Sequence, residues 1–305
     1  MEMAPLRFAS LLLAVMSAGS GCGNQRAEQN ARAAPAVAYA PAASAPRVEP
    51  ASPPSSSSQS EPREPVAALV LPIPARTQAA ESPSAGWCGE TAIQEALLFL
   101  GVWASQRVVN RAGSPIHPDL YATELPQALT ALGVHYTLYA PPQRGYAPFA
   151  RWIEGALAQG DPVLAGAKLL PTQHPEWGLD HFVLVVGHGS PGLLVNTTWG
   201  GRAWVSDGAT KGISFKNAFY AIRLTGRAVT RGASPARLRV EREDASGVKL
   251  AVSCPGVHGA AEDVRIEQHA DKADGALAWS TAGAVAERTI SADHAAYFQC
   301  VTLAR

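Results

Sequence analysis

The chain has 305 residues, 47% of them hydrophobic, with 25 basic and 25 acidic side chains and no formal net charge. That length holds one or two globular domains. The balanced charge, with no basic patch, argues against a nucleic-acid binder, because neutralising phosphates needs an excess of Lys and Arg.

Arg7 precedes the apolar run Phe8–Met16, and small residues follow up to Cys22. A short basic region, an apolar stretch too short to span a bilayer and a small-residue zone read as a signal peptide over residues 1–21. Gly19-Ser20-Gly21-Cys22 resembles a bacterial lipobox, in which Cys22 becomes the diacylated mature N-terminus; Gly19 stands where a Leu is usual. Residues 22–68 are rich in Ala, Pro, Ser and Glu and include Ser55-Ser56-Ser57-Ser58. With almost no large apolar side chains they can form no core, and they read as a disordered tether behind the lipid. The expected location is the bacterial cell envelope, periplasmic or surface-exposed, with the membrane contacted through the lipid.

A main domain is expected over residues 69–227. Ala92, Ile93, Ala96, Leu97 and Leu100 recur at helical spacing behind Cys88, and Gly101 closes the pattern. A second helix is predicted over about 124–132, with Thr123 before it and Gly133 after it, and a strand over 134–139. Phe149, Trp152, Ile153, Ala156 and Leu157 mark a third helix, and 162–167 reads as a buried strand. A polar loop, 171–179, leads to strands at about 181–187 and 192–197, joined by the turn His188-Gly189-Ser190-Pro191-Gly192. Helices first and strands later predict an α+β domain with a mostly antiparallel sheet. Residues 228–305 alternate as strands around 238–240, 248–254 and 297–302, which predicts a small all-β, sandwich-like C-terminal domain. In an oxidising envelope Cys254 and Cys300 are expected to pair, leaving Cys88 as the unpaired thiol.

Cys88 sits at the start of the first predicted helix, in Trp87-Cys88-Gly89-Glu90-Thr91. A helix N-terminus and a neighbouring imidazolium are the two devices that turn a thiol into a thiolate nucleophile. His181 opens the apolar run Phe182–Val186 and can supply the imidazolium. Asn196 lies on the partner strand and can orient the imidazole as the third group. His117, His135, His174 and His188 are scattered without metal-ligand spacing, so no metal and no cofactor is expected, and His174 is placed at the surface.

Taken together, residues 69–224 resemble the papain-like cysteine peptidases, most closely the bacteriocin-processing peptidase-like group (family C-39-like). The matching segments are Cys88-Gly89-Glu90-Thr91 with Leu97–Gly101, Glu124–Leu129, Leu157–Val163, His181–Gly187 and Trp199-Gly200-Gly201. The resemblance implies a papain-like fold, N-terminal helices with a C-terminal antiparallel sheet. It also implies peptide-bond hydrolysis through a Cys88 thioacyl intermediate, with a peptide or protein as substrate and a monomeric enzyme. By the same resemblance Gln78, with the backbone N–H of Cys88, is the oxyanion donor. The family's orienting Asp falls in a run that here reads Asn196-Thr197-Thr198, so Asn196 and Thr197 both stand as candidates for the third residue. Two other readings accompany this one: a catalytically weak or inactive module that binds peptides or cell-wall components, and an amidase or transglutaminase-like acyl transferase.

Overall fold

The computed structural model describes residues 67–79, 86–116, 118–140, 145–208, 211–244, 246–256, 263–270, 272 and 275–303. The signal peptide, the Cys22 anchor, most of the tether and His117 lie outside the described residues. Among the described residues no helix is long and apolar enough to cross a membrane.

Among the described residues four helices stand in the first half: α1 (Cys88–Phe99), α2 (Gln106–Gly113), α3 (Leu125–Ala131) and α4 (Tyr146–Ala158). In α1 the helix formers Ala, Leu, Gln and Glu dominate, and all twelve residues are buried. A helix covered on every side is a core element rather than a surface one, so its polar residues Glu90, Gln94 and Glu95 must find partners inside. The helix ends at Gly101, whose φ of +72° and close approach to the Phe298 carbonyl, 2.6 Å from where a Cβ would stand, exclude a side chain.

Around α1 lies a seven-stranded antiparallel sheet made of β1 (Ala67–Val70), β3 (Val134–Leu138), β4 (Val163–Ala167), β5 (His181–Gly189), β6 (Gly192–Asn196), β7 (Arg202–Val205) and β8 (Ala221–Arg227). Its order is β3-β8-β4-β5-β6-β7, and β1 also pairs with β5. The central strand β5 is buried from His181 through Gly187, which fits its continuous apolar run. Gly187 lets β1 close on it, since a Cβ there would stand 2.5 Å from the Leu69 carbonyl oxygen.

The chain then forms β9 (Ala233–Pro235), β10 (Arg237–Asp244), β11 (Gly247–Ser253), β12 (Val264–Ala270), β13 (Leu277–Ala282), β14 (Val285–Ile290) and β15 (Ala296–Thr302). These make a three-stranded sheet, β10-β11-β14, and a second one, β13-β12-β15-β2, to which β9 adds on β15. The strand β2 (Val102–Trp103) comes from the front of the chain, directly after α1, and pairs with Ala296 and Tyr297. Leu98 and Trp103 accordingly sit in the second core with Leu238, Val252, Ile266 and Phe298. Cys254 and Cys300 are joined by a disulfide inside this core, with a sequence separation of 46. Closing a loop of that length stabilises the fold by about 3–4 kcal/mol in the chain-entropy account.

This architecture corrects the expected fold class. The chain is not an α+β papain-like fold of N-terminal helices followed by a sheet. Among the described residues it is mostly sheet, with three sheets, 42% strand and four short helices. One strand, β1, precedes the helices and two, β2 and β3, interrupt them, and each is paired with a strand far along the chain. Strands of four and two residues, Ala67–Val70 and Val102–Trp103, are too short to carry a readable alternation. Several later strands are polar on one face, as in Arg237–Asp244 with its run of charges.

Candidate active site

The first turn of α1 and the first residues of β5 meet at Cys88. The Cys88 sulfur is buried, with 1% of the residue exposed, and accepts a hydrogen bond from the Phe182 N–H at 3.4 Å. Its position places it at the positive end of the helix dipole. His181, at the head of β5, is hydrogen-bonded to Cys88. Its Nε2 lies 2.8 Å from Thr198 Oγ1 and 3.1 Å from the Thr197 carbonyl oxygen. The Thr198 hydroxyl donates in turn to Gln78 Oε1 at 3.1 Å. With its proton committed to Gln78, that hydroxyl accepts from His181, which makes Nε2 the protonated nitrogen and leaves Nδ1 for the Cys88 sulfur. Trp199 stacks on the imidazole with centroids 4.4 Å apart and 26° between the planes.

Burial is the largest influence on His181 and disfavours its charged form. The Cys88 charge, the hydrogen bond to Cys88, the Thr197 carbonyl and the Asp180 charge together outweigh it, so the imidazole is held above its ordinary pKa. Asp180 is itself anchored: its carboxylate accepts from the N–H groups of Leu169 and Leu170 and pairs with Lys168 at 3.2 Å, both side chains being fully buried. Lys168 also donates to the carbonyls of His174 and Trp177. One buried ammonium therefore fastens the loop that delivers His181 to the sheet, and the His174 ring is stacked on Trp177 in that loop.

Asn196 does not orient His181. Its side chain is completely buried, and Nδ2 donates to the Ile73 carbonyl at 3.3 Å while Oδ1 accepts from Arg202 at 3.2 Å. The Thr197 side chain turns to the Gly201 carbonyl at 3.0 Å, so this residue meets His181 only through its backbone oxygen. The reason is local geometry. Strand β6 ends at Asn196, and Thr198 has a φ of +65°, a sparsely populated conformation for a β-branched residue. Beyond Asn196 the two-residue alternation no longer holds, and the turn aims the third side chain of the run at the imidazole.

Gln78 does reach the site, but from the side of Thr198. Its backbone N–H also bonds the Thr198 carbonyl at 2.8 Å. The Cys88 N–H, expected as the second oxyanion donor, is bonded to the Gly86 carbonyl at 2.7 Å. The segment bearing Gln78 is tied to α1 from below: Glu95 accepts from the Arg76 N–H at 2.7 Å, and Gln106 bonds both Ala79 N and the Thr77 carbonyl. On the opposite flank Glu90 accepts from Asn110 and from the Leu120 N–H, each at 2.8 Å. Asn110 and the Trp87 indole both donate to the Pro118 carbonyl, which fixes the residue just before the nucleophile.

Glu90 and Glu95 are pushed by burial to pKa values of about 8 from 4.5. Between those values the unfolded chain holds fewer protons than the folded one. The stability from keeping these carboxyls neutral is therefore complete below about 4.5 and is lost as the pH rises through about 8. Urea unfolding should become easier across that range, by on the order of 1 kcal/mol per pH unit for each group. Glu95→Gln, which stays neutral, should flatten the dependence; a midpoint that does not move with pH, or moves equally in the variant, contradicts this.

Thr198 and Trp199 are the site residues that sequence reasoning missed as side-chain partners of His181. The available signal was the pair Gly200-Gly201 after them, which marks a turn rather than a continuing strand. No family model, curated protein or solved structure matches this chain.

Proposed function

We propose that this chain is a cysteine hydrolase that cleaves peptide bonds through a Cys88 thioacyl intermediate, held at the cell envelope by a lipid on Cys22. The single observation that carries the reading is the connected series Cys88–His181–Thr198–Gln78, which places a thiol at a helix N-terminus against an imidazole of raised pKa. In the forward step the Cys88 thiolate attacks the substrate carbonyl carbon and the imidazolium gives its proton to the departing amine. Water then attacks the thioester, His181 takes the water proton, and the sulfur leaves as thiolate. Thr198 and the Thr197 carbonyl hold the Nε2–H throughout, so the other nitrogen stays directed at the sulfur. With Gln78 Oε1 held by Thr198, its NH2 is the group left for the oxyanion.

The test is covalent trapping with a short peptide bearing a thiol-reactive carbonyl. Label on Cys88, dependent on His181, is the expected result; no label, or label that persists unchanged in His181→Gln, overturns the reading.

Thr198→Val should lower kcat about tenfold to a hundredfold, the worth of one to two buried hydrogen bonds, with little change in KM. Thr198→Ser should restore it. Equal kcat in the Val variant removes Thr198 from the mechanism. A hydroxyl in place of an amide or carboxylate beside the His is also the observation that favours the second reading, a module that binds peptides without turning them over.

A further inference from the structure

Two cavities border the segment 72–79 that carries Gln78. One, of about 500 Å³, is lined by Thr77, Ala79, Trp87 and Gln106 from the front of the chain, by Glu243 of β10 and by Asp293 of the loop between β14 and β15. Its lining residues Thr77 and Ala79 flank Gln78 in the chain, and Trp87 precedes Cys88. The other, of about 540 Å³, lies between Pro72 and Pro74 and the outer face of the three-stranded sheet. Both share the same two walls, the segment 72–79 on one side and β10 on the other. The Arg76–Glu243 ion pair joins those walls at the 500 Å³ cavity.

We propose that these cavities form one groove that receives an extended peptide substrate carrying acidic residues among apolar ones, with the acidic part lying in the 540 Å³ cavity. This rests on the hydrolase reading and names its substrate class. The argument is charge and shape. The larger cavity is lined by three arginines, Arg202, Arg237 and Arg239, and by no carboxylate. Its remaining wall is apolar apart from Ser253, and includes Val285, which is 73% exposed. Arg202 is held in place by the Ile73 carbonyl and Asn196, and Arg237 by the Phe99 carbonyl and the Phe99 ring. These guanidinium groups are therefore fixed before a ligand arrives, which reduces the ordering cost of binding. Arg239, whose side chain is 70% exposed, pairs with Glu241 of its own strand. From Gln78 back to Pro74 an extended chain covers about 13 Å at roughly 3.3 Å per residue, so the acidic residues fall about four positions from the bond that is cut. The C-terminal sheets thereby act as the specificity wall of the site.

The test uses the full chain with Cys88→Ala, so that peptide is bound but not consumed. Fluorescence anisotropy compares an apolar peptide bearing glutamates with the same peptide bearing lysines. The acidic peptide should bind at least tenfold more tightly, the difference should shrink with salt, and Arg239→Glu should remove most of it. Equal binding of the two peptides, or no effect of Arg239→Glu, overturns the groove, as does displacement of the acidic peptide by vesicles of anionic lipid. Cleavage by the unsubstituted chain is read separately. Selective binding without cleavage leaves the groove standing and sinks the hydrolase reading; cleavage indifferent to Arg239 does the reverse.

Discussion

Cys88→Ala should abolish peptide cleavage, and His181→Gln should lower kcat by a factor on the order of 10⁴ or more, as for nucleophile and base acting as one unit. The double variant should be no worse than either single one. Neither change should unfold the chain: Cys88 is a small side chain in a well-filled core, and His181→Gln keeps an amide that can reach the Thr197 carbonyl or Thr198. The comparison that decides the matter is with Asn196→Leu. Its side chain bonds Ile73 and Arg202 rather than His181, so its loss should lower stability while the surviving folded protein keeps its kcat. A kcat loss for Asn196→Leu as large as that for His181→Gln would restore Asn196 as the orienting group and contradict the geometry described above.

The second large effect is at Lys168. Its ammonium is buried with the Asp180 carboxylate at 3.2 Å and supports the carbonyls of His174 and Trp177. Removing one member of a buried pair leaves an uncompensated charge and costs about 3–5 kcal/mol. Lys168→Met should therefore be strongly destabilised in urea unfolding. Lys168→Met with Asp180→Asn should regain much of the loss, since the Asn oxygen can still accept from Leu169 and Leu170. In any Lys168→Met protein that folds, the Asp180 charge acts on the imidazole without its counter-ion and favours the imidazolium, so the alkaline limb of the pH–rate profile should move upward. A loss below about 1 kcal/mol in the single variant would mean that water or another group compensates Asp180, and the pair would no longer explain how the His181 loop is held.

Parts of this arrangement were legible in the chain. Ala92, Ile93, Ala96 and Leu97 announce α1 because a helix buried on all sides still spaces its largest apolar residues at three and four. His181 could be placed because Phe182–Val186 is an unbroken apolar run and becomes the central strand. The pairing of Cys254 with Cys300 followed from two leftover thiols and is present in the structure. The helix α2 escaped notice because only Gln106, Val109 and Gly113 are buried along it. The fold class failed for a non-local reason. The contacts that tie the region after α1 to the last strand, β2 on β15 and Leu98 in the second core, link residues nearly two hundred positions apart and leave no local period. The third member of the site failed for a local one. Strand alternation can choose between Asn196 and Thr197, but it says nothing once the chain leaves the strand, and the positive φ of Thr198 becomes visible only in three dimensions.

The central claim is that Cys88 and His181 share one proton in a way that keeps the sulfur ionised. The most direct measurement is the ultraviolet absorbance of the thiolate as a function of pH, taken as the difference between the natural chain and Cys88→Ser, and repeated in His181→Gln. The account predicts a thiolate signal that persists well below the ordinary thiol pKa of about 8.5 in the natural chain and that moves up toward or beyond that value in His181→Gln. A thiolate that appears only near about 8.5 in both proteins would contradict it.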